Sequence, residues 1–383
     1  MRLTTGRGEL AAGVSWAAQS LSMRPATPPL GGLRLTADGD ALRISGFDYE
    51  TATSGSRPAK VETPGSALVP GRLLAEIVHV LPDLPVELSL EDGRLGVVCG
   101  PYQYTLPTLS LEDHPDPPAL PEISGLVSSA QFAAAAARVA VAAGRDDSLP
   151  VLTGVRIEAD GGTLRLVATD RYRLAACEVP WQPVFEDLRT SVLVPARALA
   201  ALAKSLGRSG QVAVGLPREA KPGVGHLGLR TPERTATVRL LEGEFLEYER
   251  VFPELYTGYA VVETAELMDA VKRTALVAER NAPIRLTMAA GRITVEAGRA
   301  AVDGSGQDAR AAVAVEAAVS GPDVTIAPNP GFLLDGLTVL DCAYARLDYT
   351  APGQPAVLTG LATPETEPDW AYRYMFLPVR TAA

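Results

Sequence analysis

The sequence predicts an α+β chain built from three copies of one domain, and three observations carry that prediction. First, segments recur. GDALRISG at Gly39–Gly46 returns as GGTLRLVA at Gly161–Ala168, and SALVPGRLLAEIVHVL at Ser66–Leu81 returns as TSVLVPARALAALAKSL, with Leu193 matching Leu68. A weaker third copy reads AGRITVEAG around Ile293 and TIAPNPGFLLDGLTVL around Ile326. Second, each copy follows the same order of helix, strands, helix, strands. Third, a length of 383 residues suits two or three domains of ~100–200 residues better than one. The expected domains are 1–119, 126–252 and 260–383.

Each copy opens with a helical pattern: RGELAAGVSWAAQSL, then SAQFAAAAARVAVAAG, then TAELMDAVKRTALVAER. In the last, Leu267, Ala270, Val271, Thr274 and Ala275 recur at helical spacing and leave Lys272, Arg273 and Glu279 off the apolar stripe. A second helix in the first two copies enters through Val-Pro at Pro70 and Pro195, where proline suits a first helical turn. Between the helices the apolar residues alternate. In TLRLVATD, Leu164, Leu166 and Ala168 share one face of a strand. EDHPDPPALPEISG at Glu112–Gly125 holds four prolines that neither a helix nor a central strand tolerates, so it reads as the first linker. FPELYTGYAVVE at Phe252–Glu263 takes the equivalent place before the third copy.

At 47% hydrophobic and 21% charged residues the composition is that of a globular protein, and its charge-free apolar runs fall short of the ~20 residues of a membrane span. The N-terminal MRLTTGRGELAAGV lacks the apolar core and cleavage site of a signal peptide, which predicts a cytoplasmic location. Cys99, Cys177 and Cys342 are far apart in apolar or strand-like surroundings and read as buried free thiols. The net charge of −10 disfavours a nucleic-acid partner only on average, because a concave basic lining can sit within an acidic whole.

Catalytic and metal-binding patterns are missing from the sequence. His79, His114 and His226 are isolated from one another and from any ligand spacing, and no phosphate-cradling glycine loop is present. The densest polar stretch is ATDRYRLA at Ala168–Ala175. Two guanidiniums beside Asp170 would lower its pKa and make it a poor proton shuttle, so the stretch reads as a binding surface or a charged turn. A non-enzymatic binding protein with no cofactor is expected.

Several longer segments, in order, carry a family likeness: SGFDYE (Ser45–Glu50), PVLTGVRIE (Pro150–Glu158), LVATDRYRLA (Leu166–Ala175), AVKRTALVAERN (Ala270–Asn281), NPGFLLDGL (Asn329–Leu337) and LPVR (Leu377–Arg380). Over essentially its whole length the chain resembles the β subunit of bacterial DNA polymerase III, the sliding clamp. The resemblance implies a head-to-tail homodimer forming a six-domain ring around double-stranded DNA, with helices lining the hole and contacts that ignore sequence. Candidates for that lining are Arg72 and Arg197, at matching positions of two repeats, Arg138, Lys204, Lys272 and Arg273 on the predicted helices, and Arg24, which matches a DNA-contacting position of the family. At the subunit joint it sets Tyr104 and Leu106 against Leu276 and Val277.

The same resemblance implies a groove for short apolar peptides containing a glutamine. These come from the polymerase III catalytic subunit, the clamp loader, and other polymerases and repair proteins. Its residues here would be Leu152, Thr169, Arg171, Tyr172, Arg173 and Leu174, then Leu246, Arg250 and Val251, and finally Met375, Leu377, Pro378, Val379 and Arg380. Tyr172 and Leu174 would form apolar wall, Arg173 would orient the peptide, and Asp170 would brace the turn. Loading onto DNA would need an ATP-driven clamp loader. Leu246 stands where the family commonly has proline and Leu377 where it commonly has methionine; both changes alter the shape and stiffness of the wall. With a composition like that of high-GC actinobacteria, these departures raise the expectation of a specialised second clamp that resists a cyclic-peptide inhibitor. A clamp-like scaffold that gathers partners without encircling DNA stays open as the alternative.

Overall fold

The structure, a computed structural model, describes residues 1–207, 209–219, 221–279, 282–299 and 309–379. Its contacts divide the chain into two bodies rather than three. The first comprises Met1–Ala133, Glu158–Thr163 and Pro180–Glu242, and the second Ala134–Ile157, Leu164–Val179 and Gly243–Ala383.

In the first body, the helices Arg7–Ala17 and Gly71–Val80 lie together on the sheets. Arg7–Ala17 buries Leu10, Val14 and Ala17 at helical spacing against Leu33, Leu35, Ile44 and Leu74. Gly13 lets the helix sit this close, since a Cβ there would come within 2.8 Å of Ile44 Cδ1. One sheet runs Lys60–Thr63, Arg2–Gly6, Pro85–Glu91, Arg94–Cys99, Tyr102–Pro107. It ends on Tyr102–Pro107, whose outer edge has no strand partner among the described residues. A second sheet links the first two repeats: Gly32–Asp38, Ala41–Phe47 and Thr51–Pro58 pair in turn, and Thr51–Pro58 then pairs with Arg234–Arg239 of the second repeat. Buried Arg57 bridges to Glu233 at 2.5 Å and reaches Glu9 at 3.7 Å beside this seam.

The second body uses the same device. Arg173–Cys177 of the second repeat pairs antiparallel with Tyr372–Phe376 of the third. From there the sheet continues through Ala356–Leu361, Tyr344–Tyr349 and Gly258–Glu263 to Ala309–Ser320. These shared sheets explain why three repeats cluster as two bodies. The helix Thr264–Ala275 buries Leu267, Ala270, Val271 and Thr274 as its spacing predicts. It stops at Ala275, short of the Arg280 expected from the sequence, and the opening helix of the first repeat likewise stops at Ala17. The helix Pro330–Leu340 begins with Pro at its first position and Asn329 as its cap, whose Oδ1 accepts the N–H groups of Gly331 (2.8 Å) and Phe332 (3.3 Å).

Candidate peptide-binding groove

The strand Thr163–Thr169 buries Leu164, Leu166, Val167 and Ala168, and the chain must reverse before the strand Arg173–Pro183 begins. Asp170 makes the reversal. Its Oδ1 accepts the N–H groups of Tyr172 and Arg173, both at 3.0 Å, while Thr169 Oγ1 donates to Arg173 O at 2.6 Å. Arg171 takes the left-handed conformation at φ 78°. Tyr172 is thereby pushed outward, with 60% of its surface exposed.

Arg173 points the other way and is 4% exposed. Its Nε donates to Asp170 Oδ2 (2.9 Å), its Nη1 to Asp335 Oδ2 (2.6 Å), and its guanidinium lies 4.5 Å from the ring centre of Phe332. Burial acts to lower its pKa, but Tyr374, Asp335 and Asp170 outweigh burial and raise it, so the group stays charged. Its Nε and Nη1 are engaged inside the fold, where they tie the turn to the helix Pro330–Leu340, and the side chain also borders the cavity described next.

Phe332, on that helix, stacks against Tyr172 with ring centres 6.4 Å apart. Between them and the segment Ala143–Leu152 lies a cavity of about 450 Å³, lined by Arg145, Asp146, Leu149, Leu152, Asn329 and Asp335 along with the turn itself. The end of the described chain is hydrogen-bonded to the turn. Leu377 donates its N–H to Tyr172 O and Val379 donates to Ala327 O, each at 2.8 Å. Leu377 is 36% and Val379 48% exposed, whereas Pro378 is buried.

Leu174, Met375 and Thr169 are buried and do not line the cavity, which corrects the expectation that Leu174 forms its wall. Leu174 and Met375 pack with Val167, Tyr248, Phe252 and Val357, and Leu246 lies half-buried against this cluster. Arg250 and Val251 are exposed at the end of the same segment. Arg380 lies outside the described residues. Leu149, Asn329, Phe332 and Asp335 were missed by reading the sequence; the segment NPGFLLDGL had been singled out, but nothing in it announced that its first turn faces a loop so distant in sequence.

Of the residues expected to face DNA, Arg24, Arg72, Arg197, Lys204, Lys272 and Arg273 are exposed. Arg72 donates to Ser22 O at 3.0 Å and so steadies the loop that carries Arg24. Arg273 pairs with Asp269 one helical turn away at 2.5 Å. Arg138 is a correction: its guanidinium lies over the Tyr372 ring at 5.3 Å and donates to Leu340 O, so its charge is turned into the fold. Of the expected joint residues, Leu276 is 84% exposed and Val277 and Tyr104 are half-buried. Leu106 is wholly buried in the core beneath its sheet, so its side chain is closed to a partner, which corrects that expectation.

Among the described residues no cluster of three or more His, Cys, Asp or Glu side chains could hold a metal ion, and no helix is long and apolar enough to cross a membrane. The three thiols are free, with Cys99 and Cys177 buried and Cys342 half-buried; burial pushes the Cys177 thiol up to about 11.

Family models described as the N-terminal, central and C-terminal domains of the DNA polymerase III beta subunit match residues 1–120, 126–247 and 249–374. The chain is 45% identical to the beta sliding clamp of Streptomyces coelicolor and 42% identical to the beta sliding clamp homolog GriR of Streptomyces muensis, in each case over 99% of both chains. Among solved structures, a Pseudomonas aeruginosa sliding clamp bound to griselimycin aligns over 100% of both chains with a TM-score of 0.85 at 27% identity. The Bacillus subtilis sliding clamp shares the fold at a TM-score of 0.84.

Proposed function

Because the chain belongs to the DNA polymerase III beta subunit family, the bacterial sliding clamps, which are non-catalytic processivity factors, we propose that it encircles double-stranded DNA as a homodimer in the cytoplasm and tethers the replicative polymerase, its loader and other DNA-processing proteins. The observation that carries the docking reading is the meeting of the Asp170–Arg173 turn, Phe332 and Leu149 around one cavity, with the exposed Leu377 hydrogen-bonded to Tyr172 of that turn. An exposed tyrosine and leucine at the rim of such a cavity suit apolar anchors of a linear peptide.

The ring reading is supported by two strand edges. Tyr102–Pro107 ends its sheet in the first body. In the second body, among the described residues, Ala309–Glu316 pairs with Arg292–Arg299, while only Ala317–Ser320 of the same strand pairs with Tyr259–Val262. Edge strands of this kind are templates for pairing with another chain, and one edge on each of two copies gives a head-to-tail joint that can close. Exposed Arg72, Arg197, Lys204 and Lys272 supply diffuse phosphate attraction without base-edge hydrogen bonds, which sliding requires.

The test is topological. Loaded by a clamp loader and ATP onto a closed circular duplex, the protein is expected to stay with the DNA through gel filtration and to leave when the circle is cut. Equal retention on cut and closed DNA, or none on either, would favour a scaffold that does not encircle DNA.

A second reading rests on Leu246 and Leu377. Both border the apolar cluster or rim, and a branched leucine at 377 gives a stiffer wall than an unbranched thioether would. A clamp adapted in this way would admit replication peptides while weakening a peptide inhibitor such as griselimycin in the same groove. Overall likeness is no greater to the clamp homolog than to the Streptomyces coelicolor clamp, so the reading stands on these two positions. Restoring Leu246→Pro and Leu377→Met is expected to strengthen inhibitor binding; unchanged affinity would remove the reading.

A further inference from the structure

The turn Asp48–Thr51 in the first body repeats the Asp-capped backbone bonds of the turn Asp170–Arg173 of the second, though Phe47 lacks the hydroxyl of Thr169 and Thr51 the guanidinium of Arg173. Tyr49 sits at φ 74° where Arg171 sits at φ 78°. Asp48 Oδ1 accepts the N–H groups of Glu50 (3.1 Å) and Thr51 (2.8 Å), as Asp170 Oδ1 accepts those of Tyr172 and Arg173. Thr51 lies opposite Val238 in its ladder, and Arg173 lies opposite Phe376. One residue on, Arg239 donates its N–H to Glu50 O at 2.8 Å, just as Leu377 donates to Tyr172 O. Two residues further, Leu241 donates to Leu193 O at 2.8 Å, as Val379 donates to Ala327 O. The helices that follow are capped by Pro195 and Asn329. Short 3-10 turns at Pro28–Gly31 and Pro150–Thr153 precede the matching strands Gly32–Asp38 and Gly154–Asp160.

The side chains diverge where the backbones agree. Glu50 stands at the position of Tyr172, Arg239 at that of Leu377, and Ala198, third in its helix, at that of Phe332. Glu50 and Arg239 pair at 3.3 Å, each with more than half of its side chain exposed. An apolar peptide laid over them would strip water from two charges and find no aromatic surface at residue 198 in return.

We propose that the first body carries a silenced copy of the peptide groove, and that Glu50, Arg239 and Ala198 are the residues that keep apolar peptides out of it, so that each chain takes one peptide and not two. This deepens the groove reading and rests on it.

The test uses the full chain and a pentapeptide of one glutamine, three leucines and one phenylalanine. In hydrogen exchange with excess peptide, segments 169–175 and 375–379 are expected to exchange more slowly while 47–52 and 237–241 are unchanged, with one peptide bound per chain. Slowing in both sets, or two peptides per chain, would overturn the proposal. Slowing in neither would remove the groove reading itself, and the proposal with it. A graft supplies the second arm. Tyr172→Ala is expected to weaken binding by at least about tenfold, and adding E50Y, A198F and R239L to that variant is expected to recover binding, with slowed exchange now at 47–52. No recovery in a graft that melts like its parent would overturn the assignment of these three residues.

Discussion

Leu377 and Tyr172 are joined by a backbone hydrogen bond of 2.8 Å, yet both turn their side chains outward. The bond extends the ladder Arg173–Cys177 with Tyr372–Phe376 by one step, so the rim of the groove is as firmly placed as the sheet beneath it. A rim ordered before binding lowers the entropic cost of taking a flexible peptide.

Asp170 is the residue on which this order depends, because its carboxylate holds two backbone N–H groups and one guanidinium. Asp170→Asn keeps an acceptor for the turn and loses the ion pair; Asp170→Ala loses both. We predict stability and peptide affinity in the order wild type, Asn, Ala, with the Ala variant costing about 2–3 kcal/mol in urea unfolding. Equal behaviour of the Asn and Ala variants would contradict a role for the turn bonds.

Leu276 and Leu106 separate joint from core. Leu276→Ala removes an exposed side chain and is expected to shift the dimer towards monomer in sedimentation without lowering the stability of the subunit. Leu106→Ala opens a cavity in the core and is expected to cost about 2–5 kcal/mol. A dimer left intact by Leu276→Ala would argue against this joint.

The basic residues divide in the same way. Each of Arg197→Ala and Lys204→Ala is predicted to lower the salt dependence of duplex binding by about one phosphate contact. Arg138→Ala should leave that slope unchanged and lower the melting temperature, because Arg138 packs on Tyr372. A lowered slope for Arg138→Ala would restore it to the DNA-facing set.

Acid should loosen the first body through His114, whose pKa lies below its ordinary value of 6.5 because of burial and then the charge of Arg34. The fold holds the neutral form, so the unfolded chain binds the proton more readily. Stability from this group is full above 6.5 and is lost as pH falls through the window between 6.5 and the lower folded value. His226 acts in the same direction. His114→Gln is therefore predicted to flatten the fall in melting temperature below about pH 6.5; an unchanged slope would assign the effect elsewhere.

Much of this was legible in the sequence. The repeats, the helix starts after Pro70 and Pro195 and the polar turn at Asp170 all follow from local rules of spacing and turn chemistry, though each proline ends a strand at the cap position and does not enter the first helical turn. What local rules could not show is which distant element comes to lie beside a side chain. Arg138 looked like any solvated helix residue until Tyr372 arrived beneath it, and Arg173 looked free until Asp335 closed on it. Leu106 was partly readable: it shares a strand face with half-buried Tyr104 by period two, and its pattern differed only in how deeply the sheet covers it.

The central claim is that one groove, built on the Asp170 turn, receives the partner peptides. A fluorescence anisotropy titration of a labelled clamp-binding peptide against the wild-type chain and a Tyr172→Ala, Leu377→Ser variant tests it most directly. Saturable binding to the wild type, weakened by about a hundredfold or more in the variant while its melting temperature holds, is the predicted result. Equal affinity for both proteins would place the docking site elsewhere on the molecule.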